Sequence, residues 1–179
     1  HGIKKREALA ESIRWLGEVR LPDPEQRLSD YPHQLSGGMC QRVVIAMALS
    51  CQPKLLIADE PTAALDVTIQ AQILDLLLEI RERYQMAILL ISHDLGVVAR
   101  MCDFVSVMYL GRIMESSSAI NIYRSPRHPY TQALLKAVPI PDPGQNFRKD
   151  VIRGDIPSVF DLPSGCRFQT RCADVSDAC

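Results

Sequence analysis

Two short apolar runs with an amphipathic stretch between them constrain this chain more than anything else in it. Leu55-Leu56-Ile57-Ala58 and Ala87–Ile91 are too short for helices and carry no polar residue, as strands buried on both faces do. Between them, Thr68–Tyr84 repeats apolar residues at helical spacing, at Ile69, Ile73, Leu76, Leu77 and Ile80. Further on, Leu95–Met101 reads as a short helix and Phe104–Tyr109 as a third strand, with Ile113 continuing into an edge hairpin after Gly111. Strand, helix, strand, helix, strand predicts an α/β fold with a mostly parallel sheet. Ligands of such sheets bind beyond the carboxyl ends of the strands. The residues leaving those ends are therefore the first candidates for chemistry.

The flanking segments are less regular. Lys4–Val19 reads as a helix with Ile3, Ala8, Ile13 and Leu16 on its apolar face. Arg20–Gln34 is a loop punctuated by Pro22, Pro24 and Pro32. Gly37-Gly38 opens an apolar run, Val43–Leu49, expected to be a largely buried helix that Pro53 stops. After about residue 124 the character changes, because seven of the 12 prolines fall in the last 60 residues. Pro129–Val138 holds one short helix with Pro129 in its first turn. Pro139–Cys179 has little periodicity and reads as an extended appendage, and Ser116-Ser117-Ser118 as a small polar turn.

Composition excludes several function classes. Twenty Lys+Arg stand against 21 Asp+Glu, a net charge of −1, so no basic field marks a nucleic-acid or anionic-lipid surface. The longest apolar stretches fall far short of the roughly 18–20 residues of a membrane span. No apolar segment follows Lys4, Lys5 and Arg6, as a signal peptide would require. Six cysteines in 179 residues are too sparse for a disulfide-stapled scaffold. The chain opens on His1 and stops on Cys179 inside a cysteine cluster, which reads as a fragment of a longer protein.

Three places carry candidate chemistry. The first strand runs into Asp59-Glu60-Pro61-Thr62. Adjacent carboxylates at a strand end repel each other and resist desolvation, and a divalent cation relieves both. Asp59 is placed to hold Mg²⁺, and Glu60, pointing elsewhere, to orient or deprotonate a water. Their ordinary reading is that they end the strand and cap the next helix. Leu35-Ser36-Gly37-Gly38-Met39 precedes a helix, so Ser36 caps it and the glycines leave backbone N–H groups open to an anion such as phosphate. Its ordinary reading is a Ser-capped tight turn. His93, in Ser92-His93-Asp94, leaves the second strand at the same sheet edge as Asp59 and Glu60. It either bonds a terminal phosphate or is simply a polar strand end.

The order and spacing of these segments add a resemblance. Tyr31-Pro32-His33-Gln34-Leu35-Ser36-Gly37-Gly38-Met39-Cys40-Gln41-Arg42, Leu55–Pro61, Ala64-Leu65-Asp66 and Ile91-Ser92-His93-Asp94 resemble the C-terminal part of an ABC-type ATPase over about 60 residues. The resemblance implies a P-loop NTPase-like core, part of its helical subdomain, and an ATP- and Mg²⁺-using motor. By it, Ser36, Gly37, Gly38 and Gln41 form the signature that meets a partner's nucleotide in trans. Asp59 matches the Walker B Mg²⁺ aspartate, Glu60 the catalytic glutamate, Asp66 the D-loop and His93 the switch histidine. Leu65–Gln72, Val107-Met108-Tyr109, Arg127-His128-Pro129-Tyr130-Thr131 and Pro163–Cys172 look like the oligopeptide/dipeptide (and nickel) permease branch of prokaryotes. That branch implies pairing with a second ATPase subunit under two membrane permease subunits, fed by a solute-binding protein, peripheral on the cytoplasmic membrane face, with no nucleic acid involved. The expected organisation is residues 1–50 as helical subdomain with the signature, 51–124 as catalytic core, and 125–179 as the peptide-importer appendage.

The chain departs from the family pattern in places. No Gly-Lys dipeptide occurs in it, so the phosphate loop GxxxxGK[ST] is absent, and the chain alone is expected not to hydrolyse ATP. Ser117 stands where the family has Gly, and Arg153 where it has Pro. Cys166, Cys172 and Cys179 form C-x5-C-x6-C, which matches no usual zinc spacing and supplies three ligands where four are wanted. In the resembled family a fourth cysteine follows and some members hold a [4Fe–4S] cluster there; the alternative is three free thiols. Cys40, Cys51 and Cys102 are expected to pack as small hydrophobes. Two other functions stay open at this point: a non-catalytic dimerising module with a metal- or redox-sensing tail, and a soluble DNA-repair ATPase. The chain has neither the heptad run nor the basic face of the latter.

Overall fold

The structure is a computed structural model that describes residues 2, 4–138, 152, 154–158, 160–177 and 179. The chain forms two compact units, His1–His93 and Asp94–Cys179.

In the first unit, α1 (Lys5–Glu18) leads through a short α2 (Pro24–Arg27) and a 3₁₀ turn at Pro32–Gln34 to α3 (Gly37–Leu49). Next come β1 (Leu55–Asp59), α4 (Val67–Tyr84) and β2 (Ala87–Ile91). β1 and β2 pair in parallel from Leu55↔Ala87 to Asp59↔Ile91, as the two apolar runs and their crossover helix require. α4 starts on Asp66, whose carboxylate accepts the Ile69 N–H at 3.0 Å, and stops where Gln85 turns left-handed at φ 48°. Its Ile73, Leu74, Leu76, Leu77 and Ile80 are buried and form the core with Leu49, Val19 and Leu56.

α1 follows the predicted span, but its anchor is not the expected stripe. Trp15 and Leu16 are buried while Ala8 and Ile13 are half-exposed; Ile3 lies outside the described residues. The Trp15 ring meets Tyr84 at 5.6 Å and carries the Arg14 guanidinium 4.4 Å over its face. Arg42 on α3 donates to the Val19 carbonyl at 2.6 Å and to Gln72 at 3.3 Å, tying the end of α1 to α3 and α4.

Two burial expectations fail in this unit. β1 and β2 are covered on one face only: Leu56 and Ala58 are buried, whereas Leu55, Ile57, Leu89 and Ile91 are about half exposed. An uninterrupted apolar run says both faces suit an interior; it does not supply the second layer. In α3, Ile45, Ala46 and Leu49 face inward but Val44 and Met47 are open to solvent. The helix packs against α1 and α4 along one stripe, and seven consecutive apolar residues wrap beyond it.

In the second unit, α5 (Leu95–Met101) is capped by Asp94, which accepts from Gly96 and Val97 N–H. β3 (Phe104–Tyr109) and β4 (Arg112–Ser118) then form an antiparallel hairpin. The predicted third strand is thus real, but its partner is the hairpin strand and not the parallel pair. The reason is local: Leu110 and Gly111 both take positive φ, 45° and 75°, the two-residue turn whose twist suits adjacent antiparallel strands. Ser117 sits opposite Val105 in this ladder, and Ser118 caps α6 (Ala119–Arg124), so the expected polar turn is a strand end leading into a helix. α7 (Pro129–Lys136) starts with its proline as expected. Val98, Val105, Val107, Ala119 and Ile122 form the core, with Cys102, Tyr123, Tyr130 and Leu134 against it.

The appendage is not simply extended. Residues 139–151, 153, 159 and 178 lie outside the described residues, Arg153 among them. Beyond them, Phe168 is 2% exposed, packed edge-on to Tyr109 at 5.5 Å and tilted against Tyr130 at 5.1 Å. Arg171 reaches the Tyr109 hydroxyl and the Gly154 carbonyl from the 3₁₀ turn Gln169–Arg171. Of the three cysteines expected to pack as small hydrophobes, Cys102 does, Cys40 is half-buried, and Cys51 is exposed.

Candidate functional site

The carboxyl ends of β1 and β2 bring two of the sequence candidates into direct contact. The Glu60 N–H bonds the Ile91 carbonyl at 2.9 Å, extending the ladder one step past the strand. There the chain turns sharply, with Glu60 itself at φ 45°, a left-handed conformation that costs a side-chain-bearing residue free energy. The turn aims the carboxylate back at the end of β2. Glu60 Oε1 accepts the His93 backbone N–H at 3.1 Å and lies 2.8 Å from His93 Nδ1. The imidazole is 83% exposed and the carboxylate 37%, so the pair faces solvent and is open to a ligand. Asp59 is exposed one residue back. A carboxylate held by an exposed imidazole beside a second carboxylate can accept a proton from water and pass it on.

The other candidates form a second group at the starts of α3 and α4. Ser36 Oγ accepts the Met39 N–H at 3.3 Å and caps α3. A methyl group at Gly37 would lie 3.4 Å from Leu65, and one at Gly38 only 2.6 Å from Ile69. The two glycines therefore seat the start of α3 on Leu65-Asp66 and the first turn of α4. At Gly38 no side chain fits without a shift. Gln41 is half-buried on the second turn of α3. A 13-residue helix that opens on two glycines presents N–H groups and the positive end of its dipole. A phosphate oxygen is the matching guest.

Sequence reasoning missed the residues that tie elements together. Arg42 is one; burial first, and the nearby Arg20 second, push its guanidinium below the usual arginine range, though it stays charged. Glu115 on β4 is another. It accepts the backbone N–H groups of Arg127 at 2.8 Å and His128 at 3.0 Å, fixing the entry to α7. Burial raises the Glu115 pKa. The Thr131 hydroxyl, these two N–H groups and the charge of His128 together lower it further, so the net shift is downward. Thr131 Oγ1 is fully buried and falls short of good hydrogen-bond geometry, so the backbone N–H groups carry the hold. A lone acid among serines gives no sequence signal of such a role.

The cysteine tail does not assemble as the ligand set expected for a cluster. Among the described residues no group of three or more His, Cys, Asp or Glu side chains is placed to hold a metal. Cys166 Sγ faces His128 Nε2 at 4.0 Å, Cys179 Sγ faces Ser176 Oγ at 3.8 Å, and Cys172 ends the 3₁₀ turn. All are free thiols. No helix among the described residues is long and apolar enough to cross a membrane.

The chain is similar to known proteins over nearly all of its length. Residues 3–63 match the ABC transporter family model, and residues 114–179 match that of the oligopeptide/dipeptide transporter, C-terminal region. The oligopeptide transport ATP-binding protein OppD of Salmonella typhimurium is 52% identical over 178 residues, 99% of this chain and 53% of that protein. The dipeptide transport ATP-binding protein DppD of Haemophilus influenzae is 49% identical over 99% of this chain and 54% of its own length. AppD of Bacillus subtilis, an oligopeptide transport ATP-binding protein, is 49% identical with the same coverage. The chain thus spans about half the length of the curated relatives it matches. Among solved structures, a dimeric post-hydrolysis state of the ATP-binding cassette MJ0796 bound to ADP and Pi aligns with TM-score 0.58 at 27% identity, covering 66% of this chain and 50% of that one.

Proposed function

Because the chain belongs to the ATP-binding proteins of oligopeptide/dipeptide ABC transporters, corresponding to their C-terminal part, we propose that it carries half of an ATP-hydrolysing site in a peptide importer's motor subunit. The observation that carries this reading is the Glu60–His93 pair at the carboxyl ends of the parallel strands. Glu60 is the general base for the attacking water, and His93 holds it in place and meets the terminal phosphate. Asp59 would hold Mg²⁺. A single exposed carboxylate suits that ion, which fills the rest of its shell with phosphate and water oxygens and neutralises developing charge. Ser36, Gly37, Gly38 and Gln41 face the nucleotide of a second ATPase subunit, and Asp66 positions this loop through the close seat of Gly38 on Ile69.

The remaining parts of the reading follow from family membership. Two membrane permease subunits and, through them, a solute-binding protein complete the importer, with the motor peripheral on the cytoplasmic face. Residues 1–50 serve as the helical part, 51–124 as the catalytic part and 125–179 as the appendage. The match of residues 114–179 to the peptide-transporter region leaves a DNA-repair ATPase without support. Nothing among the described residues supports a [4Fe–4S] cluster, and none enters the proposal.

The test uses protein that also carries a phosphate loop. Glu60→Gln is expected to keep ATP binding and lower hydrolysis by about 10²–10⁴-fold. Unchanged turnover would remove Glu60 as the base. Ser36→Arg is expected to leave ATP binding intact but abolish hydrolysis that depends on pairing. Normal turnover in that variant would end the phosphate role of the loop.

A further inference from the structure

The contacts between the start of α3 and the start of α4 form one seam. Gly37 lies against Leu65, and Gly38 against Ile69 with no room for a side chain. Further along, Arg42 Nη2 donates to Gln72 Oε1 at 3.3 Å. Arg42 stands four residues after Gly38 and Gln72 three after Ile69, so this hydrogen bond lies one helical turn beyond the glycine contact, on the same faces of both helices. A helix held at one point can roll and tilt about it. A second rung one turn along, about 5 Å away, removes that freedom.

Arg42 also reaches off the seam. Its Nη1 donates to the Val19 carbonyl at 2.6 Å. Val19 is fully buried and caps the C-terminal end of α1, whose last turn carries no basic residue of its own. The guanidinium supplies that helix end with both a donor and a positive charge. The end of α1 is in turn fixed to α4, by Trp15 against Tyr84 and by the Arg20–Glu79 ion pair. One planar fork thus ties the second turn of α3 to two other elements at once, which a single ammonium could not do. Ser36, Gly37 and Gly38 sit one turn upstream on the same helix. A roll permitted at Arg42 would swing their donors away from a bound phosphate.

We propose that Arg42, with Gln72 as its partner, is a positioning residue for the loop Ser36–Gly38, holding α3 in the orientation that presents this loop to the nucleotide of a second subunit. The assignment rests on the reading that the loop acts in trans. Arg42 touches no nucleotide and acts only through the start of α3. Such a residue has a mark that a merely structural one lacks: its loss harms the partner's site and spares the site of its own chain.

The experiment pairs two separately tagged subunits that carry a phosphate loop, one of them with Glu60→Gln so that a single site turns over. With Arg42→Lys in the Glu60→Gln chain, the working site uses the altered loop, and hydrolysis at saturating ATP is expected to fall about tenfold. With Arg42→Lys in the other chain, the working site uses the intact loop, and hydrolysis is expected to stay within about twofold of the pair carrying Glu60→Gln alone. Gln72→Ala, at an exposed helical position that alanine suits, keeps the test decisive if Arg42→Lys does not fold; the same dependence on placement is expected, at about threefold. Ser36→Arg, placed in the same two ways, reports on the trans reading itself. Equal losses in both placements would make Arg42 and Gln72 structural residues and overturn the proposal, as would no loss in either. If Ser36→Arg depends on placement while Arg42→Lys and Gln72→Ala do not, the proposal alone fails. If Ser36→Arg does not depend on placement either, the trans reading fails and takes the proposal with it.

Discussion

Each unit holds one glutamate against one histidine, and the two pairs are wired in opposite ways. In the first, Glu60 meets the His93 ring directly at 2.8 Å, with the imidazole 83% exposed and the carboxylate in a left-handed turn. In the second, Glu115 accepts two consecutive backbone N–H groups, that of His128 among them, while the His128 ring caps α7. The same two residue types thus make an open, reactive pair and a closed structural clamp. What separates them is which atoms the carboxylate bonds. A carboxylate spent on main-chain donors stabilises the fold and has little left for a ligand. One whose partner is an exposed, solvated side chain adds little to stability and stays available.

The sharpest way to break this contrast is to remove the clamp. Glu115→Ala leaves two N–H groups at the start of α7 without their charged acceptor, and is expected to cost about 2–3 kcal/mol. Urea unfolding read by near-ultraviolet dichroism of Tyr109 and Tyr130 measures it. A loss under about 0.5 kcal/mol would mean the clamp is decorative. Acid provides the same test without a mutation. The Glu115 pKa is held below its ordinary value, so its contribution is complete above the unfolded carboxylate pKa. It drains away as pH falls through the lower folded value. The unfolding midpoint should therefore drop on acidification below the usual carboxylate range, and drop less in Glu115→Gln.

The two pairs were unequally visible in the sequence. Asp59, Glu60 and His93 stand out because each ends a short apolar strand, and strand ends are where chemistry gathers in parallel sheets. α4 and the two parallel strands were legible for the same reason: period and length decide them locally. Glu115, Trp15 and Phe168 were not. Their roles depend on partners such as His128, Tyr84 and Tyr109, far along the chain, and no local period encodes such a pairing. Burial of the strands was overread because apolar content permits a second covering layer without providing one.

The first unit has its own rigid joint, at Gly38 and not at Glu60, and this sharpens the contrast. Gly38→Ala gains helix propensity but drives a methyl into Ile69, a β-branched side chain with little freedom to move. The balance of overpacking against propensity is an expected loss of about 1 kcal/mol. Gly37→Ala, whose methyl would meet Leu65 at an ordinary 3.4 Å, is expected to change stability by no more than about 0.5 kcal/mol or to raise it. Trp15 fluorescence reports this unit, since it is the chain's one tryptophan. Equal losses at the two glycines would show that the close seat is not what they are for.

The smallest expected effect is the most diagnostic. Glu60→Gln and His93→Ala each dissolve the exposed pair, and neither is expected to change the unfolding free energy by more than about 0.5 kcal/mol. Glutamine keeps the left-handed turn and can still accept the His93 N–H, so the backbone around residue 60 has no reason to move. A residue held in an unfavourable conformation, for an exposed contact expected to stabilise almost nothing, is placed there for something other than the fold. If instead Glu60→Gln destabilised the first unit as much as Glu115→Ala destabilises the second, the two pairs would be the same device. Glu60 would then be a clamp as well, and the case for its chemistry would have to rest on turnover alone.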